Sequence, residues 1–300
     1  MTQISVAETT TESAAAAPRG SGLRGVLSEL TRSRVGFAGF LIVLAIILMS
    51  VISPLFVGDI RPSTVYWGSP SAEHPLGTNG QGVDVLSLVL TGGRTVLYVG
   101  FLASFVTVFI AVVLGSLAAY IRGWFDVIVL QVTDLVLTIP QIVLLLVLGA
   151  FFRLDSTTFL ALLLGCLSWP VLMRSIRAQA LSLKEREFVE ASRLLDLGTA
   201  RVVFGEIVPN MASFILINFI IAITNSIYAM IGLYLLGLAP LAGANWGLMI
   251  QDSWSNQAIF NPSALPYVVS PVIMIVLLQL GLILLTRSLE EILNPRLRDR

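Results

Sequence analysis

The sequence predicts an all-α membrane protein of six transmembrane helices with both termini in the cytoplasm, and three observations lead there. Of 300 residues, 56% are hydrophobic and 12% charged, and the mean hydropathy is +0.89, which removes the chain from the soluble globular classes. Six stretches are close to the roughly 20 apolar residues that a helix needs to cross a bilayer. All but three (Arg61, Arg94, Arg153) of the 18 lysines and arginines fall on one side of those stretches, and cytoplasmic flanks carry such an excess. The formal net charge is zero, so the global balance points to no nucleic-acid partner.

Taken in order, residues 1–20 include "TTTESAAAAPRG", small and polar, and read as a disordered cytoplasmic tail with too little to bury. One transmembrane domain follows over 21–300. Its spans are expected near 35–57, 94–121, 125–150, 157–174, 210–238 and 266–286. The first is too long for a signal-peptide core and has no small-residue cleavage site behind it. Two extracytoplasmic loops, 58–93 and 239–265, are rich in Gly, Pro, Asn and Trp, which suits turns and interfacial anchoring. Trp246 and Trp254 are read as such anchors. Cys166, the single cysteine, excludes an internal disulfide and any cysteine-based metal cluster, and is read as an apolar packing residue.

Between the fourth and fifth spans lies a charged island, 175–209, ending in "EREFVEASRLLDLGTARVVFGEIVP". Ser182 and Glu185 have the spacing of a capping box, which predicts a helix start. Phe188, Val189, Ser192 and Leu195 recur at helical spacing as one narrow apolar face, with Lys184, Arg186, Glu187 and Arg193 elsewhere. Gly198 is expected to end this helix in a left-handed conformation, Thr199 to cap a second, and Pro209 to mark the junction with the fifth span. An ordered connection of this length usually has a function beyond joining two elements.

The island resembles the EAA loop of ABC-importer permeases: Glu190, Ala191 and Ser192 match its opening triplet, and Ile207, Val208 and Pro209 its close. Asp196 stands where the family has glycine, and Gly198 comes two residues later. In the first long loop, "HPLGTNGQGVDVLSLVLTGGRTVL" is similar to the peptide/nickel (dipeptide/oligopeptide) branch of these permeases. His74, Pro75, Gly77, Thr78, Gly82, Asp84, Ser87, Gly93 and Arg94 agree, while Asn79, Val83 and Leu88 replace an acid and two arginines. "RSRVGFAGF", "DLVLTIP" and "LNPRLR" resemble the same branch at matching places.

The resemblance implies a type I ABC importer-like permease bundle in a prokaryotic plasma membrane, with a cytoplasmic coupling helix. It also implies a homologous second permease subunit, two ABC ATPase subunits and an extracytoplasmic substrate-binding protein. Phe188, Glu190, Ala191, Ser192, Leu195, Gly198 and Pro209 then belong to the ATPase-coupling loop, with its apolar face and Glu190 expected in a cleft of the ATPase. No G-x-x-x-x-G-K-[ST] occurs in the sequence, so ATP and Mg²⁺ belong to the partners and this chain is not expected to be an enzyme. A short peptide is the first expectation for substrate. An oligosaccharide or nickel chelate stays open, because "GLYLLGLAPLAGANWGLMI" departs from the peptide members' usual pattern.

Four further features complete the reading. His74, the single histidine, precedes Pro75 and reads as a turn residue. Asp134 is an intramembrane acid, read as structural rather than proton-coupling. Pro140 and Pro170 are expected to kink their helices. Asn218, Ala222, Asn225 and Ala229 share a face of the fifth span that is interhelical glue, part of a translocation path, or both. An ion-coupled transporter or channel is the alternative class, but inverted repeats and several buried charges are not evident. An intramembrane hydrolase lacks a nucleophile–base pair.

Overall fold

A computed structural model describes residues 33–58, 61–151, 156–240 and 243–293. The tail 1–20 and the closing "LNPRLR", apart from its first residue, lie outside them. The described residues are helical throughout, apart from loops and one isolated bridge between Thr78 and Asp84. Among the described residues five helices are long and apolar enough to cross a membrane, and the count reaches six where a sharply bent helix pair is taken as one span.

Helix α1, Arg34–Phe56, starts where the Ser33 hydroxyl accepts a hydrogen bond from the Gly36 N–H at 3.2 Å. It runs along the last long helix, α11 (Leu265–Leu293). A side chain on Gly39 would come within 2.7 Å of Leu284, and one on Gly281 within 2.9 Å of Val43. Small residues that let backbones approach are how apolar helices associate where water supplies no hydrophobic drive.

Helix α2, Val85–Ile121, has 37 residues and is about 55 Å long, well beyond the hydrocarbon thickness. It starts nine residues earlier than the expected span. Asp84 caps it, its Oδ2 accepting from the Ser87 N–H at 2.8 Å, and the Gly92–Gly93 pair lies inside the helix rather than in a loop. The most extensive helix–helix packing in the molecule joins α2 to α5, Thr157–Lys184. Gly115 of α2 packs on Met173 and Ile176, and Gly165 of α5 packs on Ala103 and Val106.

The expected third span, 125–150, is two helices, α3 (Gly123–Thr138) and α4 (Gln141–Phe151), bent by 83°. Pro140 breaks the helix outright rather than kinking it: it lacks the N–H for helix continuation and holds Ile139 extended, at φ −94° and ψ 125°. Pro170, by contrast, is accommodated within α5. That helix continues ten residues past the expected end at 174, so Ser182 lies inside it and the predicted capping box does not form.

A short helix α6, Glu187–Leu194, follows. Then come α7 (Thr199–Val202), a π-helical turn (Val203–Ile207), α8 (Val208–Asn210, with Pro209 in its first turn) and α9, Ala212–Leu235. The second long loop contains a helix the sequence did not announce, α10 (Trp246–Ser255), capped by the Asn245 Oδ1, which accepts from Gly247 N at 2.7 Å.

The apolar core divides in two. One cluster, with Val89, Val96, Met230, Tyr234 and Trp246, fills the bundle towards the two long loops. The other, with Ala118, Met173, Ile176, Val189, Val202 and Ile207, lies at the end carrying α6.

Candidate functional site

The loop 185–209 is fixed to the bundle by one side and open on the other. Val189 is fully buried, with Val202 and Ile207 beside it, and Phe188 packs partly against the same cluster. Ser192 is buried and its hydroxyl donates to the Phe188 carbonyl at 2.9 Å. Glu187, Glu190 and Ala191 are exposed, as are Leu194 (84%) and Leu195 (74%). The single apolar face expected from Phe188, Val189, Ser192 and Leu195 therefore divides: Leu195 lies outside it, because it is the cap residue beyond the last helical turn.

The helix ends in a Schellman motif, with Leu197 N–H donating to Ser192 O at 3.2 Å and Asp196 N–H to Arg193 O at 2.9 Å. Asp196 takes the left-handed conformation, φ 54°. It occupies the position at which the resembling loops carry glycine, and a short acid is among the side chains that tolerate this conformation. Gly198 does not serve that turn. It is extended, at φ −58° and ψ 151°, and is itself the residue before α7, so Thr199 is the first helical residue rather than the cap. Likewise Arg186, not Ser182, precedes α6, without a side-chain cap.

Above this loop, charged side chains join the ends of α2, α3 and α5. Lys184 Nζ donates to the carbonyls of Ala119 (3.2 Å) and Tyr120 (2.7 Å), satisfying acceptors that the last turn of α2 leaves without helical partners. The same ammonium stands 5.5 Å from the Tyr120 ring centre, and the Arg193 guanidinium of α6 stands 5.2 Å from it. Arg177 of α5 makes a two-pronged pair with Asp126 of α3, both bonds 2.6 Å, and Arg174 pairs with Asp134. Asp134 thus has a basic partner on a neighbouring helix. Asp126, Arg177 and Tyr120 were not singled out from sequence. The signal was there for the first two: acids eight apart on α3 and arginines three apart on α5 each share a helix face.

At the opposite end, the first long loop is an ordered cap. His74 does more than turn the chain: its Nδ1 lies 3.1 Å from Asp84 Oδ1, while its carbonyl accepts from Ser71 and Gly77 N–H groups. Asn79 Oδ1 accepts from the N–H groups of Gln81 (2.9 Å) and Val83 (2.8 Å). Gly77 (φ 76°) and Gly82 (φ 75°) supply the left-handed turns. Trp246 is no interfacial anchor. It is fully buried, its indole N–H donates to Val89 O at 2.8 Å, and it fills the notch left by Gly92 and Gly93, where added side chains would meet it at 2.9 and 2.7 Å. Trp254 is 75% exposed, as an anchor would be.

Between the two loops lies a cavity of about 610 Å³ lined by Asn79, Gln81, Asn245, Gln251, Asp252 and Tyr267, among others, within the usual range for small-molecule sites. On α9, Ala222 is buried, Asn218 donates to the Phe214 carbonyl of its own helix at 2.9 Å, and Asn225 is exposed. Cys166 is exposed on α5 and not a core packing residue.

Comparison with known proteins bears on this arrangement. Residues 111–299, from the last turns of α2 through the loop to the end of the chain, match the family described as binding-protein-dependent transport system inner membrane component. The dipeptide transport system permease DppC of Alkalihalophilus pseudofirmus is 28% identical over 281 residues, 92% of this chain and 90% of that one. The oligopeptide transport system permease OppC of Mycobacterium tuberculosis is 30% identical over 233 residues, 77% of this chain and 78% of that one. A peptide permease of Brucella suis, so named provisionally, is 34% identical over 192 residues, 64% and 63% of the two chains. The chain belongs to the inner-membrane permease family of binding-protein-dependent ABC importers.

Proposed function

We propose that this chain is one of two permease subunits of an ATP-driven importer and that it carries short peptides into the cytoplasm from an extracytoplasmic binding protein. Both termini and α6 lie on the cytoplasmic side of a prokaryotic plasma membrane, in keeping with the distribution of lysine and arginine. A homologous permease completes the pathway, and two ATPase subunits hold the ATP and Mg²⁺. Peptide is preferred to oligosaccharide or nickel chelate because relatives that cover most of the chain are named for dipeptide and oligopeptide transport.

The observation that carries the coupling role is the two-sided construction of α6. A connector needs only its buried side, yet here Glu187, Glu190, Ala191, Leu194 and Leu195 form an exposed, partly apolar surface on a rigidly seated helix. That surface, rather than Phe188 and Val189, enters the cleft of the ATPase. Closure of the ATPase pair then biases the bundle between two arrangements. Asn218 and Asn225 border the path between the permeases, where Asn225 is free to meet water or substrate.

The test is to tag the C-terminus, extract the chain from native membranes in mild detergent and identify its companions by mass spectrometry. A second permease and P-loop ATPases are expected, with the ATPases lost from a Glu190→Lys/Leu194→Asp variant. A chain that emerges alone, or ATPases that stay bound to the variant, would overturn this role for α6.

A further inference from the structure

We infer that Tyr120 is the joint through which α6 moves α2, and that α2 carries this movement across the membrane to the wall of the 610 Å³ cavity at the opposite face. The inference rests on the coupling role proposed for α6.

Three observations support it. The first is that Tyr120 meets both α6 and the end of the helix that precedes it. Lys184, the last residue of α5, bonds the final carbonyls of α2 at 3.2 and 2.7 Å while standing over the Tyr120 ring, and Arg193 of α6 stands over the same ring at 5.2 Å. An aromatic face attracts cations within about 6 Å of its centre and does so through its quadrupole. The contact therefore holds while long side chains adjust, as a joint must.

The second is that α2 is one uninterrupted helix from Val85 to Ile121, with no proline or π-helical turn inside it, and the glycines at which it could bend are packed, Gly92 and Gly93 against Trp246 and Gly115 against Met173 and Ile176. By contrast, the third span is broken at Pro140, and the loop itself passes through a π-helical turn at Val203–Ile207.

The third is that the far end of α2 is tied to what it would move. Asp84 caps the helix and holds His74 of the first loop, and Gly92 and Gly93 receive Trp246, the first residue of α10. Gln81 of the first loop and Leu248, Asp252 and Ser255 of α10 all line the cavity. A shift of α2 therefore displaces both groups.

The test uses the intact importer with Cys166 replaced by serine and a reporter, Gln81→Cys, at an exposed position beside α2. The readout is its labelling rate by a membrane-impermeant maleimide, with and without Mg-ATP and vanadate, followed on this chain by mass. No knowledge of the substrate is needed. In the otherwise unmodified complex trapping is expected to change the rate about fivefold or more, the scale of ordinary coupling between sites. Tyr120→Leu should reduce that change to under about twofold while ATP hydrolysis stays within about twofold, and Tyr120→Phe, which keeps the ring, should restore it. Arg193→Gln, an exposed change that leaves the core intact, reads the same joint should Tyr120→Leu fail to assemble, and is expected to lower the response by about half.

A Tyr120→Leu complex that responds in full overturns the joint, and so does one whose defect Tyr120→Phe shares. The underlying role of α6 is tested separately. If Leu194→Asp also leaves the response intact, that role fails; if Leu194→Asp abolishes it and Tyr120→Leu does not, only the joint fails.

Discussion

At one end of α2, Trp246 sits in the notch of Gly92 and Gly93 with its indole N–H bonded to Val89, and the adjoining loop is laced by short hydrogen bonds that the Asn79 and Asp84 side chains accept. At the other end the same helix is held by Lys184, Arg193 and, through α5 and α3, by the Arg177–Asp126 and Arg174–Asp134 pairs. Close packing has one satisfactory arrangement, because a gap of about 1 Å already forfeits up to about half of the contact energy. Charged side chains on long stems keep much of their attraction over a range of positions. The difference makes a fixed mounting at the end that carries the two long loops and a compliant one at the end that carries α6.

The comparison can be broken at its fixed end first. Trp246→Ala is expected to cost about 3–5 kcal/mol, as other buried tryptophan truncations do, and Gly93→Leu should prevent accumulation of folded protein, because its side chain has no room beside that ring. Thermal aggregation of the tagged chain in detergent, scored by size exclusion, reports both. If either variant behaves like the parent, the mounting is not fixed.

Of the ion pairs, Asp126→Asn should be the most costly, about 1–3 kcal/mol, because it leaves the half-buried Arg177 short of its carboxylate. Glu185→Gln removes a 3.3 Å pair to Arg122 whose partners are 69% and 55% exposed, and no measurable loss is expected. Raising the salt should narrow the difference between parent and Asp126→Asn but leave Trp246→Ala unaffected, a contrast visible in the same assay.

Asp84→Ala, which removes the cap of α2, should cost about 1 kcal/mol, and Asp84→Asn most of nothing if capping dominates over the contact with His74. The smallest effect should have the opposite sign. Asp196→Gly relieves a left-handed residue, φ 54°, and is expected to stabilise by a few tenths to about 1 kcal/mol without changing transport. Loss of transport in that variant would give the Asp196 carboxylate a role beyond the turn.

The same contrast explains what could be read in advance. Spans made of unbroken apolar residues, α1, α9 and α11, were legible to within a few residues at their starts, because burial in lipid is written in composition. The start of α2 was not: Gly92 and Gly93 look like loop residues until Trp246, more than 150 positions away, is seen to fill the space they leave. Trp246 itself carried no mark of burial, since interfacial and buried tryptophans have the same neighbours in sequence. In the candidate site the position of the loop was legible from Glu190 to Pro209. Its sidedness was not, because helical spacing groups Phe188, Val189, Ser192 and Leu195 without saying where the helix stops. Ser182 and Glu185 had the right spacing for a cap, but Ile176 and Ala180 pack into the core and carry α5 on past Ser182 to Lys184.

The 83° break at Ile139 and Pro140 has a consequence for how the protein is made. Thr138, Ile139 and Pro140 are all exposed on this chain, and the ends of two helices meet there with amides and carbonyls that neither helix pairs. Hydrocarbon cannot hydrate such groups, and each left unpaired costs several kcal/mol. Where the bent pair lies within the bilayer, a newly inserted chain therefore carries a recognisable mark of incompleteness, one that a covering protein surface or a water-filled path erases. A cell that makes more of this chain than can be covered there should find it short-lived.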